Sequence, residues 1–345
     1  MSLKTILTYP ILLISSIEIR SFEALGRRIQ KSGDTVQRLL VPENESFDLL
    51  ANIARSIFAN SKKLTLAIDD TLIQKKYAEF MEGIGFHFDT KLNKTVQSYK
   101  LLAAAVTNGK YTVPICGDFL YPKKLLGGDN SLPNKLDLVK KFILHAKSIF
   151  PDKKIFVSMD GIFVSEELLG WLIERGIRAD LRMHSNRKIH FRGQGYPNQK
   201  IVDLIPRGRH MARSIQATWH DLNVTITADR RIDKHGEESI VYIVSTYKAK
   251  PIDHVNAYRL RWPIEKVFRT SKQLLGLKEC FSKKLETQKN HVAAVFVAYA
   301  IAQWDMKIHG YKNSEKAIRA SKHKNFLSQI HRLQRSDQIF GGAYA

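Results

Sequence analysis

Between Tyr258 and Lys272 the chain reads Tyr-Arg-Leu-Arg-Trp-Pro-Ile-Glu-Lys-Val-Phe-Arg-Thr-Ser-Lys, which sets a phenol, guanidinium groups, a carboxylate and ammonium groups close together. A carboxylate is an oxygen ligand for a hard cation, and guanidinium and ammonium groups are partners for anions. Glu265 and Lys272 are seven residues apart. At ~100° per residue they fall within ~20° of each other on one helical face. On the helix alone an exposed ion pair is the better reading of the two, because such pairs are common, with Ile264, Val267, Phe268 and Leu274 turned to the core. Tyr258 and Arg261 join that face only if the helix runs through Pro263. A kink there, or a helix that starts at Pro263, takes them off it.

Two further acids end apolar runs. Leu64 to Ile68 reads as a short strand leading into Asp69-Asp70-Thr71, and Lys154 to Met159 reads as another leading into Asp160, followed by Gly161 and Phe163. Singly, each Asp reads better as a turn or cap residue than as a ligand, and it is the set of acids together that points to a cation. Alternation does not choose between Asp69 and Asp70, because a one-residue shift exchanges their faces. Ser98 to Val106 and Tyr111 to Cys116 are strands joined by the hairpin signal Asn108-Gly109. Lys135 to Phe150 and Ser165 to Glu174 have helical spacing, and Ile177 to Leu181 closes the series as a strand. Strand, strand, strand, helix, strand, helix, strand is the order of an α/β, RNase H-like core. In it a mixed five-stranded sheet sets the first and fourth strands side by side and parallel.

Around that core the first 60 residues read as helical. Ile6 to Ile14 is expected to be a core helix, since Pro10 interrupts the run, no small-residue cleavage site follows, and its length does not span a bilayer. Ser21 to Leu40 reads as two short helices broken at Lys31-Ser32-Gly33. Asp34 is the expected N-cap of the second, and Gln37 and Arg38 lie on its outer face. The spacing is that of a helix-turn-helix, which many packed helix pairs share. Arg182 to Tyr247 reads as a β-rich insertion, with strands at Ile201 to Leu204, Ser214 to Thr218, Val224 to Ala228 and Ile240 to Ser245. Its first part, 182–213, carries many Arg and Lys against one acid, Asp203, a composition that suits a phosphate backbone. From Ile252 the reading is helical, with an apolar helix at His291 to Trp304 and a basic amphipathic stretch at Lys312 to Arg335. The expected divisions are 1–60, 61–181, 182–250, 251–305 and 306–345.

The 345 residues are 44% hydrophobic, which argues against disorder, and 55 Lys and Arg against 33 Asp and Glu leave a net +22. Such a surface attracts polyanions, nucleic acid first among them. Cys116 and Cys280 give neither a disulfide framework nor a thiolate metal site. A cytoplasmic protein with no membrane segment is expected.

Tyr258, two residues, Arg261, three residues, Glu265, six residues, Lys272 resembles the Tyr-Arg-Glu-Lys signature of IS4-like DDE transposases, with every spacing kept. The resemblance extends through Trp262, the Lys-Gln-Leu-Leu-Gly-Leu run from Lys272, and His291. It implies three catalytic carboxylates that are also the metal ligands: Asp69, with Asp70 as the alternative, Asp160 and Glu265. The family motif Asp-any-Thr fits Asp69-Asp70-Thr71. At Asp160 the family usually places Gly or Ala one residue later than Gly161. The implied cofactors are two Mg²⁺ or Mn²⁺ ions, which together support the attacking and leaving oxygens of an in-line displacement at phosphorus. Arg261, Lys272 and Tyr258 are then DNA phosphate contacts. Trp262 either stacks on an extruded base or packs the helix start. The implied activity is that of an insertion-sequence transposase, hydrolysing DNA at the element ends and transferring 3′-hydroxyls into a target. Its partners would be double-stranded DNA (terminal inverted repeats and target) and a second copy in a homodimer, in a bacterial cytoplasm and at the nucleoid when DNA-bound. A catalytically inactive or domesticated DNA-binding protein and an RNase H-fold nuclease are the alternatives.

Overall fold

A computed structural model describes residues 2–16, 20–76, 78, 80–121, 134–191, 212–232, 235–322, 324 and 326–334. The fold is mixed α/β and divides into two compact units. The first holds Met1–Ser61, Asp70–Ile149 and Ile264–Ala345, and the second holds Lys62–Asp69 and Phe150–Pro263.

The first unit opens with α1 (Leu3–Ser15), buried along most of its length as its apolar composition requires. Short helices α2 (Phe22–Arg28) and α3 (Gly33–Gln37) pack on each other, and α4 (Glu43–Ile57) follows. Ser32, not Asp34, caps α3: its Oγ accepts the Thr35 N–H at 3.2 Å, and Asp34 lies in the first turn, where its charge suits the helix dipole. Strand β1 (Lys63–Gln74) is longer than its apolar run and carries Asp69 and Asp70 inside it, entering this unit at Asp70. Next come β2 (Gly85–Asp89), which is not among the expected strands, β3 (Lys94–Thr107), β4 (Thr112–Leu120) and α5 (Lys135–Ile149). β3 pairs antiparallel with both β2 and β4 and neighbours β1 in the strand order. Asn108 closes the β3–β4 turn by accepting the N–H groups of Lys110 and Tyr111.

The second unit begins with Lys63–Asp69 of β1 and adds β5 (Lys154–Met159), α6 (Glu166–Glu174), β6 (Arg178–Met183), β7 (His190–Phe191), β8 (Arg213–Trp219), β9 (Leu222–Ile232), β10 (Glu238–Ser245) and α7 (Pro251–Arg259). Its sheet runs β1-β5-β6-β10-β9-β8-β7, parallel over the first three strands and antiparallel beyond. The strands expected in the β-rich segment therefore extend the same sheet through β10 on β6. The strand expected at Ile201 to Leu204 lies outside the described residues.

The chain then returns to the first unit through α8 (Trp262–Leu274), α9 (Leu285–His309), α10 (Ser314–Ser321) and α11 (Phe326–Gln334). Helix α9 is the apolar core helix, packed against α1, α4 and β4. His291 is wholly buried on it. Its Nε2 lies 2.9 Å from the Gly276 carbonyl and its Nδ1 2.9 Å from the Tyr9 hydroxyl, so a neutral ring donates to the carbonyl and accepts from the phenol. Burial holds that ring neutral, pushing its pKa down to about 4. Gly276 itself has φ +72°, and a Cβ there would meet the Arg20 side chain at 2.9 Å. Among the described residues no helix is long and apolar enough to cross a membrane.

In the second unit Asp180 of β6 is completely buried and gathers three partners: Ser245 Oγ at 2.7 Å, Tyr247 OH at 2.8 Å and His254 Nδ1 at 2.8 Å. This network ties α7 to β6 and β10. Asp180→Ala is expected to lower the unfolding free energy by ~3 kcal/mol or more, because it strands two fully buried polar groups, Ser245 and His254, and the half-buried Tyr247 hydroxyl at once. Urea denaturation followed by circular dichroism measures this, and a loss below ~1 kcal/mol would contradict it.

Candidate active site

Six residue pairs join β1 to β5 in parallel, from Lys63↔Lys154 to Ile68↔Met159. One step further along both strands stand Asp69 and Asp160. The flanking runs Leu64–Ile68 and Val157–Met159 are buried, as parallel strands covered on both faces must be. The acids thus emerge where the apolar run stops. Asp160 is extended (φ −79°, ψ 168°) and its Oδ1 accepts the Gly161 N–H at 2.8 Å. The chain then enters a 3₁₀ turn, Gly161–Phe163. A Cβ on Gly161 would lie 2.9 Å from His184 Nε2 and 3.2 Å from the Arg182 carbonyl, which explains glycine directly after this Asp.

Helix α7 and the turn after it bring Tyr258 and Arg261 to the same unit. Tyr258 is buried against Ile243 and Val255, and its carbonyl accepts from Ser158 Oγ on β5 at 3.4 Å. The helix ends at Arg259, the chain turns through Leu260, and α8 starts at Trp262 with Pro263 in its first turn. One unbroken helix is excluded, and a helix starting at Pro263 was the better of the two expectations. The turn places Arg261 Nη1 2.6 Å from Asp69 Oδ2, with both side chains largely buried. Removing one partner of so buried a pair costs roughly 3–5 kcal/mol. The Arg261 guanidinium also lies 5.9 Å from the Tyr258 ring and 5.8 Å from that of Trp262. Burial raises the Tyr258 pKa, the Arg261 charge opposes the rise, and the Asp160 charge adds to it. Trp262 is 52% exposed.

In the first unit α8 buries Ile264, Val267 and Phe268, leaving Glu265 and Lys272 half-buried, one in its first turn and one in its last. Lys272 Nζ donates to Thr71 Oγ1 at 2.5 Å. Burial, then the charges of Lys278 and Lys91, lower its pKa to about 8, with Asp89 opposing. Asp70 Oδ2 lies 3.1 Å from Lys100 Nζ. Because side chains alternate along a strand, Asp69 and Thr71 share one face of β1 and Asp70 takes the other.

Carboxylates at adjacent strand ends are the donor type that Mg²⁺ and Mn²⁺ prefer. Asp69 already faces a cation, the Arg261 guanidinium, so the pair fits positive charge in kind. Among the described residues no three His, Cys, Asp or Glu side chains are grouped to hold an ion. Elsewhere in the second unit, the described part of the basic segment lines a hollow of about 1210 Å³ that includes His184, Arg187, Lys188 and His190. Arg187 stacks there over Trp219 at 5.9 Å. The Arg261–Asp69 pair and the Asp180 network have no local signal, since their members lie 192 and 65 to 74 residues apart.

Lys272 has a folded-state pKa below its unfolded value, so charging it opposes folding below about pH 8, and that cost is relieved as the pH rises toward 10.5. In ¹³C-lysine NMR one Cε resonance, absent from Lys272→Arg, should titrate near pH 8. Titration of that signal with the bulk lysines would contradict the burial argument.

The family model described as a transposase DDE domain matches residues 60–301. Among solved structures the chain is similar to a piggyBac transposase in a synaptic complex with hairpin DNA, at 14% identity and a TM-score of 0.53, covering 96% of this chain and 72% of that one. That likeness is one of fold. Among curated proteins none matches in sequence. With the match spanning both strand-end acids and the whole of Tyr258 to Lys272, the chain belongs to the transposase DDE domain family.

Proposed function

We propose that this DDE transposase serves an insertion sequence of the IS4-like kind, cutting DNA at the element ends and joining the freed 3′-hydroxyls to a target. The observation that carries the reading is the placement of Asp69 and Asp160 one step beyond paired parallel strands, with Arg261 of the signature bonded to Asp69. Asp69, rather than Asp70, is the first catalytic acid. It shares a face of β1 with Thr71, and the partners of these two are the signature residues Arg261 and Lys272, whereas Asp70 pairs with Lys100.

Asp69, Asp160 and Glu265 would hold two Mg²⁺ or Mn²⁺ ions, whose charge supports the attacking and leaving oxygens of an in-line displacement. Arg261 offers a planar fork that can exchange Asp69 for a phosphate oxygen, and Lys272 offers a point charge. Tyr258 is oriented by its hydrogen bond with Arg261, and Trp262 presents an open ring face to an extruded base. The first 60 residues would recognise terminal repeats through α2 and α3, and the basic β-rich segment would follow the DNA backbone, in a homodimer bridging both ends. A bacterial cytoplasmic protein, nucleoid-bound on DNA, fits this role.

The test is strand cleavage of DNA carrying the element's own ends, with Mn²⁺ or Mg²⁺. Glu265→Gln and Asp160→Asn should each lower cleavage by about a thousandfold or more while leaving DNA binding within a few-fold. DNA binding without cleavage by the unaltered protein, or cleavage indifferent to Glu265→Gln, would overturn the reading.

A further inference from the structure

The hairpin of β2 and the start of β3 lies in the first unit and has no part in the chemistry above. Phe86 and Phe88 alternate with His87 and are 73% and 57% exposed, although strand aromatics ordinarily turn to a core. His87 takes the opposite face, where the charges of Lys100 and Asp70 act on it. The cross-strand pairs Phe86↔Gln97 and Phe88↔Thr95 set an amide and a hydroxyl beside the two rings. At the hairpin tip Asp89 Oδ1 accepts the N–H groups of Lys91 and Leu92, and its Oδ2 accepts from Gln74 at 2.6 Å. The tip stands beside the signature lysine, since the charges of Lys91 and Asp89 both act on Lys272.

Two open ring faces on a ribbon tipped with lysines suit one kind of partner. Protein interfaces gather aromatics but are depleted of lysine, so a second copy fits this surface poorly. Duplex DNA fits the lysines but not the rings, because its base faces are covered by their neighbours. Unpaired DNA offers both phosphates and bare base faces, and aromatic platforms beside cationic tracks are how single strands are held.

We propose that the β2–β3 hairpin is a platform for unpaired DNA, with Phe86 and Phe88 stacking on bases while Lys91 and Lys94 face the phosphates. The proposal rests on the transposase reading and adds to it a surface that receives the strand opened beside Lys272.

The experiment uses the full chain and two probes, a dT20 oligonucleotide and a random-sequence 30-base-pair duplex, with fluorescence anisotropy as the readout. Phe86→Ala with Phe88→Ala should weaken dT20 binding about tenfold or more and change duplex binding less than twofold. Both rings are exposed, so the melting temperature should be unchanged, and Phe86→Trp with Phe88→Trp should retain dT20 binding. Lys91→Ala with Lys94→Ala should reduce the salt dependence of dT20 binding by roughly one to one and a half log units per log unit of salt. Dependence of dT20 affinity on the rings would support the platform. An affinity within twofold of the unaltered protein would overturn it, as would an alanine variant that changes only the oligomeric state in sedimentation. If the unaltered protein binds the duplex but the ring variant behaves like it on dT20, the hairpin proposal alone falls. If the unaltered protein does not bind dT20, the hairpin proposal falls, whereas the transposase reading falls only if DNA carrying the element's own ends is not cleaved.

Discussion

The parallel register of β1 on β5 is the constraint on which the site depends. Six consecutive pairs, of which the three nearest the acids are buried on both strands, fix the register, because a one-residue slip would move every apolar side chain of β1 to the opposite face of the sheet. With the register fixed, Asp69 and Asp160 must emerge together at the edge of the apolar region. The burial that makes the pairing rigid also makes the two carboxylates costly neighbours unless positive charge stands against them. Arg261 supplies that charge at Asp69 from a turn between two helices, and the turn exists because Pro263 ends one helical run and starts the next.

The hydrogen bonds that position Arg261 run deep into the second unit. Tyr258 is held through its carbonyl by Ser158 on β5, two residues before Asp160, and α7 as a whole is moored by His254 to the buried Asp180. Acid, guanidinium and phenol are therefore set by one sheet, by helix α7 packed on it and by the turn that follows that helix. Such a frame suits chemistry in which positioned charge does most of the work.

Much of this was legible in the sequence, for identifiable reasons. The apolar runs before Asp69 and Asp160, the α5 periodicity, the Asn108-Gly109 turn and the core helix around His291 all follow from burial patterns, and the structure places them close to the expected positions. The continuation of β1 through Asp69 to Gln74 was hidden, because a strand paired through its backbone need not stay apolar. β2 does carry a strand signal, the alternation of Phe86 and Phe88 with His87 and Asp89, but the run is only five residues long, and its rings are exposed where alternation would have turned them to a core. Ser32 displaced Asp34 as the cap because both are good capping residues two positions apart, and sequence alone does not fix the first turn. The spacing of Tyr258, Arg261, Glu265 and Lys272 pointed to the family without indicating that Arg261 would bond Asp69, which depends wholly on tertiary placement.

The assignment of Asp69 and Asp160 as the paired ligands is tested most directly by Mn²⁺ binding to the full chain, read by electron paramagnetic resonance of the free ion. Asp69→Asn and Asp160→Asn should each weaken binding at least about tenfold, whereas Asp70→Asn, on the other face of β1, should leave it within about twofold. Equal losses for Asp69→Asn and Asp70→Asn, or a loss confined to Asp70→Asn, would contradict the account.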